Sequence, residues 1–104
     1  YPHIGFSRRS GLRPIIDRLF KECKGHPQYA YEVEEDQAVA GLVSAGFGIA
    51  VVPHMALLSY MPVQIIRIAN PTWERIFYMC SLKDVYQAPA INDFKAFVKR
   101  HAVV

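Results

Sequence analysis

The run Gly41-Leu42-Val43-Ser44-Ala45-Gly46-Phe47-Gly48-Ile49-Ala50-Val51-Val52-Pro53 changes its hydrophobic period partway along. Its first residues continue a helical pattern. Two glycines then bracket Phe47, an unbroken apolar run follows, and a proline stops it. Gly46 suits the left-handed position that closes a helix. Gly48 lets the chain turn closely into Ile49–Val52. A continuous apolar run of this kind fits a strand buried on both faces, hence a parallel sheet covered by helices. The expected class is α/β with a ligand-binding architecture, not a disulfide scaffold or a nucleic-acid module.

The rest of the chain supports the same alternation. Pro2–Phe6 reads as a short strand and Ser7–Ser10 as a polar, basic loop. Leu12, Ile15, Ile16, Leu19, Phe20 and Cys23 recur at helical spacing, with Pro14 tolerated in the first turn and Gly25 and Pro27 ending the helix. Tyr29, Tyr31 and Val33 alternate along a second strand, Gln28–Glu34. Asp36 is placed to cap the next helix, with Ala38, Val39, Leu42 and Val43 facing inward. Pro53–Tyr60 is expected to be a short helix, Val63–Ile68 and Ile76–Leu82 strands, and Asn70-Pro71-Thr72 a turn. A final helix is expected over Ile91–His101, with Ile91, Phe94, Phe97 and Val98 inward. The order β-α-β-α-β-α-β-β-α favours a mostly parallel sheet flanked by helices and joined by right-handed crossovers.

Composition narrows the function. At 104 residues, one domain is the default, and a hydrophobic fraction of 52% excludes disorder. No apolar run approaches the roughly 18–20 residues that span a bilayer, and no signal peptide is visible. Cys23 and Cys80 are expected to be buried thiols, with a disulfide or metal site as the alternative, and buried thiols suit a reducing cytoplasm. The net charge of +3 is mild and uneven. Arg8, Arg9, Arg13 and Arg18 crowd the start, whereas Glu32, Glu34, Glu35 and Asp36 form an acidic block. A DNA-binding surface needs a broader basic face.

The acidic lead Glu34-Glu35-Asp36 followed by Gly-Leu-Val-x-Ala-Gly-x-Gly-Ile-Ala-x-x-Pro resembles the effector-binding domain of LysR-type transcriptional regulators. Ile4-Gly5-Phe6 with the Leu12–Phe20 helix is similar to that domain's second subdomain. Ala88-Pro89-Ala90-Ile91-Asn92-Asp93-Phe94 is similar to its C-terminal helix. The resemblance spans nearly the whole chain. It departs from the family by having no winged helix-turn-helix and lacking most of the first effector subdomain, so the chain resembles a fragment carrying about half of a ligand cleft. The implied fold is a lobe of the type 2 periplasmic-binding-protein kind. The implied division is residues 1–75 as the second subdomain and 76–104 as a return strand and C-terminal helix. Tyr1–His3 and Ile76–Leu82 would be the crossings between lobes. The helix at the end would then pair with the absent lobe, or a second copy, to bury Phe94 and Phe97.

Ligands of open α/β sheets sit at the carboxyl ends of strands. That rule selects Phe6–Ser10, Glu34–Gln37 and Pro53–His54. The Phe6-Ser7-Arg8-Arg9-Ser10-Gly11 loop opens a helix, where free N–H groups favour anions. Arg8, Arg9 and Arg13 oppose that helix's dipole. An acidic ligand would offset the conflict; so would pairing with the acidic block, and a solvated basic loop is the plainest alternative. Glu35 or Gln37 can reach a cleft while Asp36 caps its helix; capping and solvation alone also account for them. His54 faces the same rim, or lies simply on the surface. The candidate effector-binding residues are therefore Phe6, Ser7, Arg8, Ser10, Glu35, Gln37 and His54.

No other chemistry is indicated. Gly46-Phe47-Gly48 ends a helix and opens a strand, the reverse of a dinucleotide fingerprint. The four histidines and two cysteines lack metal-ligand spacing. No nucleophile elbow or Cys–His pairing occurs, so neither an enzyme nor a cofactor is expected. Tyr29, Tyr31, Trp73 and Phe77-Tyr78 read as core or dimer-face residues, or as a stacking platform. The resemblance implies a cytoplasmic, dimeric or tetrameric regulator. It would bind a small-molecule effector here, which the basic rim loop favours as an anion, and DNA only through its N-terminal domain, with no membrane role. A solute-binding lobe of a transport receptor is the alternative on the same fold.

Overall fold

The computed structural model describes residues 1–71 and 73–102. β1 (His3–Phe6) and β2 (Tyr29–Val33) pair in parallel, with Ile4 opposite Tyr31, Gly5 opposite Glu32 and Phe6 opposite Val33. α1 (Leu12–Glu22) is the crossover between them. α2 (Asp36–Ser44) follows β2 and returns the chain to the far side of β1. There Ile49 bridges His3 in parallel: its N–H donates to the Pro2 carbonyl at 3.0 Å, and its carbonyl accepts from Ile4 N–H at 2.9 Å. The spatial order is thus β2, β1, then the Ile49 segment.

Why these elements form is local. α1 buries Leu12, Ile16 and Leu19, three positions on one helical face. Its last turn carries Lys21, matching the dipole. α2 buries Val39 and Ala40. Gly46 takes φ +83° just past its end, a conformation that costs other residues a Cβ clash. Gly48 has a different reason: a Cβ there would collide with the Pro2 carbonyl, blocking the approach that lets Ile49 pair with β1. Ile4, Phe6, Leu12, Ile16 and Val39 form the core, with Phe20, Val33 and the Ala50–Val52 stretch packed against it.

The second half differs from the sequence expectation. Only the Ile49 bridge forms in 49–52, and neither 63–68 nor 76–82 is a strand. Pairing of those segments needs a neighbouring strand, and none lies beside them among the described residues. The expected helix at Pro53–Tyr60 is a 3₁₀ turn, Ala56–Tyr60, anchored by buried Leu58. The Asn70–Thr72 turn includes Thr72, outside the described residues. α3 (Pro89–His101) starts at Pro89, whose missing N–H is harmless at N1. It buries no residue: Ile91, Phe94 and Phe97 are exposed and Val98 half-buried. Cys23 and Cys80 are exposed free thiols, against expectation. Cys23 lies past the buried stripe of α1, and Cys80 sits in the uncovered 76–82 segment.

Shape records the same division. The radius of gyration is 17.5 Å and the extents are 52 × 31 × 25 Å; a compact chain of this length has about 13 Å. The accessible surface is 8645 Å², against about 5,900 Å² for a compact monomer of this mass.

Candidate functional site

The carboxyl ends of β1 and β2 meet. Ser7 N–H, one residue past β1, donates to the carbonyl of Val33, the last residue of β2, at 2.9 Å. Phe6–Ser10 and Glu34–Gln37 therefore leave the sheet side by side. The Ile49 segment runs parallel to β1, which carries Pro53 and His54 toward the same edge.

The loop after β1 is a tight turn. Ser10 N–H donates to the Ser7 carbonyl at 3.0 Å, and Arg13 N–H to the Ser10 carbonyl at 3.2 Å. Ser10 Oγ accepts from Leu12 N–H at 3.2 Å, so this hydroxyl satisfies one of the free donors that open α1. Ser7 Oγ is buried and has no hydrogen-bond partner among the described residues. Arg8 and Arg9 are exposed.

Phe6 is a correction. Its side chain is 1% exposed in the core, because alternation along β1 puts residues 4 and 6 on the face that the helices cover. Its carbonyl is also occupied, by Arg13. The side chain cannot meet a ligand. Asp36 is a second correction: the cap residue of α2 is Glu35, whose backbone is extended, and Asp36 is the first helical residue. Its charge still favours that end of the dipole. Glu35 and Gln37 are exposed after β2, and His54 is exposed on the segment that follows the Ile49 bridge.

Arg13 is the residue that sequence reading left open. It is 8% exposed. Its Nη1 donates to the Phe6 carbonyl at 2.8 Å and to Glu32 Oε1 at 3.0 Å, and its Nε to Asp17 Oδ1 at 3.0 Å. The guanidinium lies 4.2 Å from the Tyr29 ring centroid. Pairing with the acidic block is thus realised for Arg13, through Glu32. Burial alone would lower its pKa; the bonds to Glu32 and Asp17 outweigh that and raise it. Burial acts in the opposite direction on the Tyr29 phenol and pushes it up, opposed only in part by the Arg13 charge.

Two concavities lie away from most of this rim. One of about 410 Å³ is at the amino ends of the strands, between Tyr1, Pro2 and Gln28–Ala30. An apolar groove of about 760 Å³ is lined by α1 and the 49–54 segment on one side and by residues 63–68, Pro71 and residues 73–75 on the other. His54 lines the groove, but Ser7, Arg8, Ser10, Glu35 and Gln37 line neither concavity. The rim is an open wall.

Comparison with known proteins follows the same outline. The LysR substrate binding domain matches residues 1–103. An uncharacterized HTH-type transcriptional regulator of Bacillus subtilis (strain 168), YybE, is 31% identical over 90 residues, covering 86% of this chain and 31% of that protein. YbhD, an uncharacterized HTH-type transcriptional regulator of Escherichia coli (strain K12), is 29% identical over 100 residues, covering 94% and 32% respectively. Both are named as regulators, not as transport receptors. The effector binding domain of QuiR in complex with shikimate superposes with a TM-score of 0.89 at 43% identity, over 96% of this chain and 48% of that one. The chain spans about a third of the curated relatives it matches and about half of that solved chain.

Proposed function

The chain belongs to the LysR substrate-binding domain family, and from that premise we propose that it is one wall of an effector-sensing cleft in a LysR-type transcriptional regulator. A small metabolite binds between this lobe and a second one and shifts their relative orientation. The ligand acts only through its differential affinity for the two lobe arrangements. The domain senses and does not catalyse.

The observation that carries this reading is the Ser7–Val33 bond, which brings the ends of both strands to one rim. Ser7, Arg8, Ser10, Glu35, Gln37 and His54 supply the polar contacts, with Arg8 for negative charge. An orphan buried hydroxyl at Ser7 supports a ligand partner there. The QuiR domain is described with shikimate. A hydroxylated carboxylate of that kind suits the exposed Arg8 and the hydroxyl and carboxylate groups along the rim.

Residues 1–75 form this lobe, and residues 76–104 return toward the second. Three observations support that division. α3 buries nothing. The surface exceeds that of a compact monomer by about 2,700 Å². The superposable solved chain has about as much again of polypeptide. The protein acts as a dimer or tetramer in the cytoplasm and meets DNA through a separate N-terminal domain. No helix of the described residues is long and apolar enough to cross a membrane.

Calorimetric titration of the intact protein with shikimate and related carboxylates tests the assignment. Arg8→Ala and Ser7→Ala should each weaken binding by about tenfold, the loss of one charge-assisted or buried hydrogen bond. Indifference to both would mean the wall is misassigned.

A further inference from the structure

Arg13 is costly where it stands. It is a cation in the first turn of α1, where the dipole opposes it, and it is buried. Neither helix formation nor solubility explains such a placement. What it touches does. Phe6 ends β1, and its carbonyl is the last group before the Ser7–Ser10 loop. Glu32 lies one residue from the end of β2, beside the Val33 carbonyl that holds Ser7. Asp17 sits one turn along α1. The guanidinium therefore joins both strand ends to the helix at the point from which the rim segments diverge, and it lies over the Tyr29 ring.

We infer that Arg13 is a positioning residue for effector binding, setting the spacing between the Ser7–Ser10 loop and the Glu34–Gln37 segment without touching the effector. The inference rests on the effector-cleft reading above. Arg13 spends Nε and Nη1 on three acceptors, lies over the Tyr29 ring and is 8% exposed, whereas Arg8 and Arg9 are the exposed cations of the rim loop. Lysine cannot replace it. A single ammonium lacks the planar fork that serves a carbonyl and two carboxylates in different directions.

The test uses the intact protein without ligand, then with shikimate as the probe. In Arg13→Lys, amide hydrogen exchange at Ser7–Ser10 and Glu34–Gln37 should quicken by about tenfold while Ile16 and Val39 keep their protection. Shikimate affinity should fall by about tenfold or more. Unchanged exchange at the rim overturns the inference; so does uniform acceleration throughout the lobe, which would make Arg13 merely structural. If Arg13→Lys fails to fold, Glu32→Gln decides. That change keeps the acceptor but removes its charge, and it should quicken the rim amides about threefold; no change there also overturns the inference. A wild-type protein that ignores shikimate would count against the choice of effector, while the ligand-free exchange result still judges Arg13.

Discussion

Residues 3–58 and residues 61–102 are made of similar material and behave differently. Every buried apolar side chain among the described residues lies between Ile4 and Leu58. Beyond Met61 none is buried, although Ile65, Ile66, Ile68, Ile76, Phe77, Leu82, Phe94 and Phe97 are there to be used. The difference is partners. In the first region each element finds its neighbour within a few tens of residues: β1 finds β2 through α1, and the Ile49 segment finds β1 through α2. In the second, among the described residues, the extended segments have no strand beside them and α3 buries no residue. Apolar content supplies a driving force for burial, and topology decides whether there is anything to bury against.

The largest effect that could break this contrast comes from paired truncations. Phe6→Ala should destabilise the lobe by about 3–5 kcal/mol in denaturant titrations, since a fully buried ring is removed. Phe94→Ala should cost under about 0.5 kcal/mol in the 104-residue chain alone. In the intact protein the same change should cost about 3 kcal/mol if, as proposed, a second lobe covers the ring. Equal, small costs for Phe94 in both settings would remove the case for that lobe.

A smaller effect sharpens the packed side. Gly48→Ala forces a methyl group into the Pro2 carbonyl. It should cost about 1–3 kcal/mol and free the amide of Ile4, which bonds to Ile49. Exchange at Ser7, held by β2 instead, should move less. Protection of Ile4 unaltered in the variant would show that the Ile49 bridge does not depend on this approach.

The smallest effect is in alkali. Burial raises the Tyr29 pKa above its ordinary 10.0, so the folded lobe favours the neutral phenol. Its contribution to stability is complete below about pH 10 and is lost as pH rises through the higher folded value. Thermal melts across that range should fall more steeply in wild type than in Tyr29→Phe. Identical slopes would show that the phenol is not desolvated.

How far the sequence could be read follows the same boundary. α1, β1, β2 and α2 were legible because their periodicity and their stops (Gly25, Pro27, Gly46) are local signals. Their strand ends could then be placed on one rim, which put Ser7, Arg8, Glu35 and Gln37 together. Phe6 went wrong because alternation shows that residues 4 and 6 share a face but not that this face is the covered one. The segments 63–68 and 76–82 have strand composition, yet a strand is a relation between two chains of hydrogen bonds, and composition describes only one of them. Arg13 stayed open for a related reason. Its partner Glu32 is selected by the β1–β2 register, which pairs Gly5 with Glu32, and no spacing along the chain encodes that register.

The uncovered stretch Ile76-Phe77-Tyr78-Met79-Cys80 also bears on how this polypeptide can be handled. It is β-prone, uncharged, free of proline, and its residues are exposed. Such windows stack readily with copies of themselves. Produced by itself at high concentration, the polypeptide should form inclusion bodies, and co-expression with whatever shields that stretch should restore yield.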